Sequence, residues 1–271
     1  MRFGCCLNWV ASGIDGTGAE KAPLLARAGY DYVELSLAHL MRLEPDHRRR
    51  VLEPVRASGL TCEACNNFFP GTMRLTGPDT DHEAALAYAS TALALARSLG
   101  VSVIVFGSGK ARNAPEGFPV RRAWDQLVGF ARSLDPLAAD NGITIAMEHL
   151  NRGESDILTS FNEIARFVRE TDRPNIRALL DTYHLELERE PASVILEGRG
   201  ILAHAHTARL TGRTWPQLAS PELRAEFAAL AELGYDGRMS VEAASDNLEA
   251  DCAGTLALLK SLERESGAAR T

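Results

Sequence analysis

The sequence has no basic excess. Its 29 lysines and arginines stand against 36 aspartates and glutamates, a net charge of −7, so the basic footprint that nucleic-acid binding requires is missing. The one short basic run, His47 to Arg50, reads as the solvated face of a helix. Long apolar runs are missing as well. No stretch approaches the roughly 20 apolar residues of a membrane span, and the opening MRFGCCLNWV lacks the apolar core and cleavage site of a signal peptide. The expectation is a cytoplasmic protein with neither nucleic acid nor membrane as partner. The five cysteines follow no disulfide framework. Cys62 and Cys65 make one C-x-x-C with no second pair, which reads as two small buried side chains rather than a zinc site. That usage fits a reducing compartment. A phosphate-binding glycine loop is also absent, because Gly107 to Arg112 (GSGKAR) lacks the G-x-x-x-x-G-K-[ST] spacing and reads as a flexible loop.

What is present is a globular composition, 45% hydrophobic and 24% charged over 271 residues, enough for a sizeable core. Short apolar runs alternate with longer helical patterns. Strands are predicted at Arg2–Trp9, Tyr30–Leu37, Leu60–Asn66, Val101–Gly107, Ile143–Leu150, Ile176–His184, Ile201–Ala208 and Arg238–Ala244. Between them lie stretches such as DHEAALAYASTALALARSLG, with apolar residues at three- and four-residue spacing and a terminal glycine. Gly29, Gly59, Gly100 and Gly234 each stand just before the next strand, as helix C-caps that turn the chain back. Eight strand-plus-helix units predict an α/β fold, a (β/α)8 TIM barrel, typically about 250 residues long. It is expected to be a single domain over residues 1–271. A doubly wound open sheet would have five or six strands and usually a phosphate-binding glycine loop.

In a (β/α)8 barrel the active site lies where the strands end. Glu148, Asp181, His206 and Glu242 fall near the last residues of strands five to eight, each after an apolar run. Side chains alternate along a strand, so Ala146 and Glu148 point one way and Met147 and His149 the other. Three carboxylates meeting at one mouth repel one another unless protons or a cation neutralise them. A divalent metal does so most simply. Three oxygen ligands with one imidazole suit Mn first, with Mg or Co as alternatives, and leave positions open for substrate oxygens. Taken alone, Asp181 reads equally well as a helix N-cap. His204 reads as a hydrogen-bonded core residue, His149 as facing the helices, and His39, His47 and His82 as surface positions. Trp9, at the end of strand one, reads equally as an apolar wall for a ligand or as core.

The segments AMEHLNRGESD, ALLDTYHLELE, AHAHTARLTGR and MSVEAA, with AGYDYVELSL near the start, resemble the sugar isomerase/epimerase superfamily. These are metal-dependent barrels of the xylose isomerase-like type, and the likeness is greatest to the ketose 3-epimerase branch of tagatose and psicose epimerases. It spans nearly the whole chain and is strongest from Ile143 to His184. The resemblance implies Glu148, Asp181, His206 and Glu242 as metal ligands, and Glu148 and Glu242 as a paired acid and base. It implies His184 and Glu154 as contacts to sugar oxygens, and it matches Glu34 to a glutamate whose role is either functional or structural.

Removing a proton beside a ketone leaves an enediolate, which a metal stabilises. Return of a proton to the opposite face inverts the centre, and return to the neighbouring carbon interconverts aldose and ketose. Isomerases of the hydroxypyruvate type and lyases of the inosose dehydratase type therefore remain alternatives with the same ligand set. An endonuclease IV-like phosphodiesterase shares the barrel but needs more histidines at the strand ends. The chain departs from the epimerase pattern at HTARLTGRTWP, where the expected arginine falls on Gly212, leaving Arg213 as the candidate substrate contact and Arg209 as its rival. Its strand-four loop is short and lacks an aromatic lid. By analogy with the family, a homo-dimer or homo-tetramer acting on a small sugar is expected.

Overall fold

The computed structural model describes residues 1–268, so the last three residues of the expected 1–271 domain lie outside the described residues. Eight parallel strands form one sheet: β1 Arg2–Cys5, β2 Val33–Ser36, β3 Cys62–Asn66, β4 Val103–Phe106, β5 Thr144–Glu148, β6 Ile176–Asp181, β7 Leu202–Thr207 and β8 Arg238–Val241. β1 pairs with β8, and the order then runs down through β7 to β2. The last seam, between β1 and β2, is drawn together by a parallel bridge from Cys6 to Glu34 and by the Asp31 N–H donating to the Phe3 carbonyl at 2.9 Å. The sheet is thus a nearly closed barrel with helices outside it.

Strand periodicity divides the apolar residues between two layers. Tyr32, Ala64, Val103, Val105, Ala146 and Leu179 form a small cluster of their own inside the barrel. The residues between them face the helices and join the main core. Gly4 is needed for this interior, because a Cβ there would lie 2.4 Å from the Tyr32 ring. The helix Val120–Asn141 shows the outer layer: Ala123, Leu127, Phe130, Ala131, Leu134 and Ala138 recur at helical spacing and are all buried. Gly29, Gly59, Gly100 and Gly234 all have positive φ, the left-handed conformation that ends a helix. No helix among the described residues is long and apolar enough to cross a membrane.

All the strands but β3 stop earlier than predicted, and β1, β6 and β8 do so by three or four residues. β1 ends at Cys5, and Leu7–Trp9 turns into a 3-10 helix that carries Trp9 over the barrel end. β6 ends at Asp181, whose side chain accepts from the Tyr183 N–H and starts the helix Thr182–Leu187. GSGKAR is ordered rather than loose: Gly109–Arg112 forms a helical turn, and the Leu75 N–H donates to the Ala111 carbonyl at 2.8 Å. Cys62 and Cys65 are buried free thiols with their sulfurs 4.0 Å apart. His47 is exposed on the helix Pro45–Val51, but His39 and His82 are half-buried, and His82 Nε2 donates to the Leu75 carbonyl at 2.9 Å.

Candidate active site

The inward-facing alternation that fills the barrel ends, strand by strand, in polar groups at the mouth. Ala64 is followed by Asn66, Val105 by Gly107, Ala146 by Glu148, Leu179 by Asp181, His204 by His206 and Ser240 by Glu242. Glu148, Asp181, His206 and Glu242 are all buried, and each offers a ligand atom within 4.8 Å of the others. His206 sits at their centre: its Nδ1 lies 3.1 Å from Glu148 Oε1 and 3.5 Å from Glu242 Oε2. Gly107 belongs to this layer because a Cβ there would stand 2.1 Å from Glu148 Oε2.

Below the cluster lies a second, wholly buried network. Glu34 accepts from His204 Nε2 at 2.9 Å, from His206 Nε2 at 3.1 Å and from Ser240 Oγ at 2.6 Å. The Tyr32 hydroxyl donates to Ser240 Oγ at 2.8 Å, since the serine proton is already given to Glu34. Glu34 therefore binds structural partners inside the barrel, and His204 is the hydrogen-bonded core residue expected of it. His149 is fully buried outside the barrel, its ring edge-on to Phe161.

Asp181 caps a helix, one of the two readings that its sequence position allowed, and still turns its second oxygen to the mouth. Its Oδ1 caps the following helix by accepting from the Tyr183 N–H at 2.8 Å, while its Oδ2 faces Arg213 at 3.4 Å and His184 Nε2 at 3.6 Å. His184 Nδ1 accepts from the Asn151 backbone and side-chain amides at 3.2 and 3.0 Å. The neutral ring must then carry its proton on Nε2, a buried donor with no hydrogen-bond partner beside the pocket. Glu154 stands exposed at the rim, where Asn151 Nδ2 donates to it at 2.7 Å.

Arg213 lies over the mouth. It hydrogen-bonds Glu242, stands 3.6 Å from Glu154, and its guanidinium stacks 4.5 Å from the Trp9 ring centre and 4.4 Å from that of Tyr183. Arg209 is exposed and bridges Thr214 instead. Asn67, Ser108 and Arg213, all lining the mouth, have positive φ. Left-handed backbone in residues other than glycine costs of order 1–3 kcal/mol each, and it gathers where side chains must be aimed.

The electrostatics split the carboxylates. Burial and neighbouring Glu242 push the Glu148 carboxyl up to about 7. Burial acts on Glu242 in the same sense, but His206 and Arg213 outweigh it and hold that group at about 2. Burial also raises Asp181, and burial together with Arg213 depresses His184 to about 4, so that ring is neutral near pH 7. The cavity above these groups measures about 290 Å³ and is lined by Trp9, Glu148, Glu154, His184, Arg213 and Glu242, with Asn8, Asn67, Phe69, Ser108 and Lys110 completing the wall. Larger hollows lie on the outer helical side around Leu210 and Glu222, where no metal-ligating cluster forms among the described residues.

Several residues at or just behind the wall were not singled out from the sequence. Asn66, whose Nδ2 donates to Asn8 Oδ1 at 3.0 Å and to Glu242 Oε1 at 3.1 Å, had the same signal as Glu148, a polar residue ending an apolar strand. Asn8, Ser108 and Lys110 carry no such signal, being polar residues of the short helical turns that follow β1 and β4.

The family described as xylose isomerase-like TIM barrel matches residues 22–264. An L-ribulose 3-epimerase of Methylomonas sp. is 28% identical over 256 residues, 92% of this chain and 87% of that protein. A ketose 3-epimerase of Arthrobacter globiformis is 32% identical over 114 residues, 42% of this chain, so the chain spans 39% of that relative's length. In three dimensions, a D-psicose 3-epimerase crystallised in the presence of D-fructose superposes with a TM-score of 0.83 at 19% identity, covering 97% of this chain and 99% of that one. The fold, the mouth and the family match over most of the length agree, and the chain belongs to the xylose isomerase-like TIM barrel family.

Proposed function

We propose that the protein is a divalent-metal-dependent ketose 3-epimerase, with Glu148 and Glu242 as its acid and base. The supporting observation is the pair itself. Two buried glutamates from β5 and from the end of β8 meet at one imidazole nitrogen, and their surroundings drive their carboxyl groups in opposite directions, to about 7 and about 2. Such a split is the usual way for one site to hold a proton donor and a proton acceptor at the same pH. The epimerase relatives point to the same reaction.

Glu148, Asp181, His206 and Glu242 suit a divalent ion, because three buried carboxylates and one imidazole offer ligand atoms within 4.8 Å of one another. Mn is the expected ion, with Mg or Co as alternatives. When bound, the metal would polarise the sugar carbonyl and stabilise negative charge beside it.

The remaining work falls to side chains. Glu242, held as a carboxylate by His206 and Arg213, is the base at neutral pH. Glu148, the more readily protonated of the two carboxylates in the metal-free site, supplies the proton to the other face of the carbon. His184 Nε2 donates to a sugar oxygen, and Asn151 holds that ring in the required tautomer. Glu154 accepts from a sugar hydroxyl at the rim, and Trp9 walls the pocket while stacking on Arg213.

The test is incubation of the Mn-loaded protein in heavy water with D-fructose, D-tagatose and L-ribulose, beside an inosose and hydroxypyruvate. The expected outcome is deuterium at carbon 3 of a ketose together with its 3-epimer. Turnover confined to the inosose or to hydroxypyruvate would replace the epimerase with a lyase or an aldose–ketose isomerase.

A further inference from the structure

The mouth is polarised. Its β5-to-β8 side holds Glu148, Glu154 and Glu242, and the arginine there, Arg213, is committed to Glu242, Asp181 and Glu154. The opposite side comes from the loops after β3 and β4 and holds Asn67, Phe69, Ser108 and Lys110 but no acid. Lys110 is exposed and forms no ion pair among the described residues. Its neighbour Arg74, whose guanidinium donates to the Lys110 carbonyl at 3.2 Å, has no acidic partner either.

The backbone that carries Lys110 is fixed and shaped around it. Ser108 Oγ accepts from the Phe69 N–H at 3.1 Å, the Asn113 N–H donates to the Gly109 carbonyl at 2.8 Å, and Asn113 Nδ2 donates to the Glu154 carbonyl at 3.1 Å. Gly71, in the facing loop, leaves a gap that the lysine stem occupies, since a Cβ there would stand 3.1 Å from Lys110 Cβ and 3.2 Å from its Cδ. The lysine is thus seated at the pocket edge rather than loose on an outer surface.

We infer that the substrate carries an anionic group, a phosphate ester or a carboxylate, at the end remote from its carbonyl, and that Lys110 binds this group. The inference rests on the proposed reaction. With the carbonyl end at the Glu148–Glu242 cluster, the rest of an open-chain sugar extends across the cavity, and the opposite wall presents an ammonium without a counter-charge. A compact, flexible point charge suits either a phosphate or a carboxylate.

The test compares D-fructose, D-fructose 6-phosphate and D-fructuronate on the Mn-loaded protein, by calorimetric binding and by hydrogen exchange in heavy water. At least one anionic sugar should bind about tenfold more tightly than D-fructose, a factor equal to ~1.4 kcal/mol. The margin should shrink as salt is raised. Which anion gains the margin identifies the phosphate or the carboxylate. In K110M the anionic-to-neutral ratio of affinities should fall close to one, and in K110R it should persist, with circular dichroism confirming that both variants fold. Equal binding of neutral and anionic sugars, or a preference that survives K110M, overturns the inference. Tight anionic binding with no exchange in any sugar leaves it standing and instead rejects the epimerase reading.

Discussion

Glu34 and His206 are joined inside the barrel, 3.1 Å from carboxylate Oε1 to ring Nε2, at positions where neither side chain is exposed to solvent. Because Glu34 is held well below the usual carboxylate range against the pull of burial, chiefly by His206 and His204, it accepts and Nε2 donates. Nδ1 faces Glu148 and Glu242, to which it donates while the ring is a cation, and its lone pair would be free for a metal once that proton leaves. A carboxylate behind a ligating imidazole fixes its tautomer and orientation, and removing one typically costs about 10–100-fold in metal affinity. E34A should therefore weaken Mn binding by that factor in a calorimetric titration, and E34Q, which keeps one acceptor, should lose less. Unchanged Mn affinity in E34A would show that the network serves packing alone.

The paired glutamates can be separated by isosteric substitution. E148Q and E242Q should each lower ketose turnover by about 10²–10⁴-fold, the scale of a general acid or base. If each returns a proton to one face only, hydrogen exchange without epimerisation should persist in one of the two variants. Both activities at wild-type level in E148Q would remove Glu148 from the chemistry.

The fold was legible in the sequence because a parallel strand buried on both faces reads as an apolar run and a barrel helix announces its end with glycine. The mouth was legible where a strand delivered an acid or an imidazole, as at Glu148 and His206. It was not legible where the deciding contact is remote in sequence: Glu34 meets His204 across 170 positions, and nothing local to either residue announces the partner. Nor did spacing decide between Arg209 and Arg213. Gly212 at φ 73 and Arg213 at φ 47 turn the chain so that the second arginine, not the first, lies over the pocket.

Stability should depend on pH through Glu148. Its carboxyl rises from 4.5 to about 7 on folding, so its contribution is full below pH 4.5 and is lost as pH rises through about 7. Between pH 6.5 and 8 the loss amounts to about 1 kcal/mol in chelator-treated protein. His184 and His149, depressed to about 4 and about 3, are neutral when folded but still bind protons when unfolded near pH 6.5, so each gains about 0.4 kcal/mol as pH rises to 8 and together they offset most of that loss in the total. Urea midpoints of wild type and E148Q, each with chelator at the two pH values, isolate the effect. Stability of the wild type should fall relative to that of E148Q by about 1 kcal/mol between the two pH values, and parallel changes would contradict the raised value for Glu148.

Gly107 leaves space for a carboxylate oxygen rather than for a turn. G107A places a methyl group where Glu148 Oε2 now lies, 2.1 Å away, so the glutamate must move. Displacement of a reacting group by about 1 Å can cost on the order of 10²-fold in rate. The expected result is that loss in kcat/KM with the urea midpoint nearly preserved. A crystal structure of the variant should show Glu148 withdrawn from His206, and wild-type kinetics would mean that Glu148 has room to spare.

Arg213 tests whether the low value of Glu242 is set from outside the ligand cluster. The guanidinium is clamped between Trp9 and Tyr183 and hydrogen-bonds Glu242, so its charge is held in place rather than screened by water. After burial, which opposes it, His206 is the largest influence on Glu242 and Arg213 the next. R213M keeps much of the stacking stem but removes the charge, so Glu242 should take up its proton at a higher pH. The acid limb of the kcat/KM profile should move upward by about one unit, within the range for loss of a neighbouring opposite charge. R213K restores a point charge without the planar fork and should return the limb toward its original position while leaving KM raised. A limb that stays put in R213M while KM rises would reduce Arg213 to a substrate contact with no hold on the base.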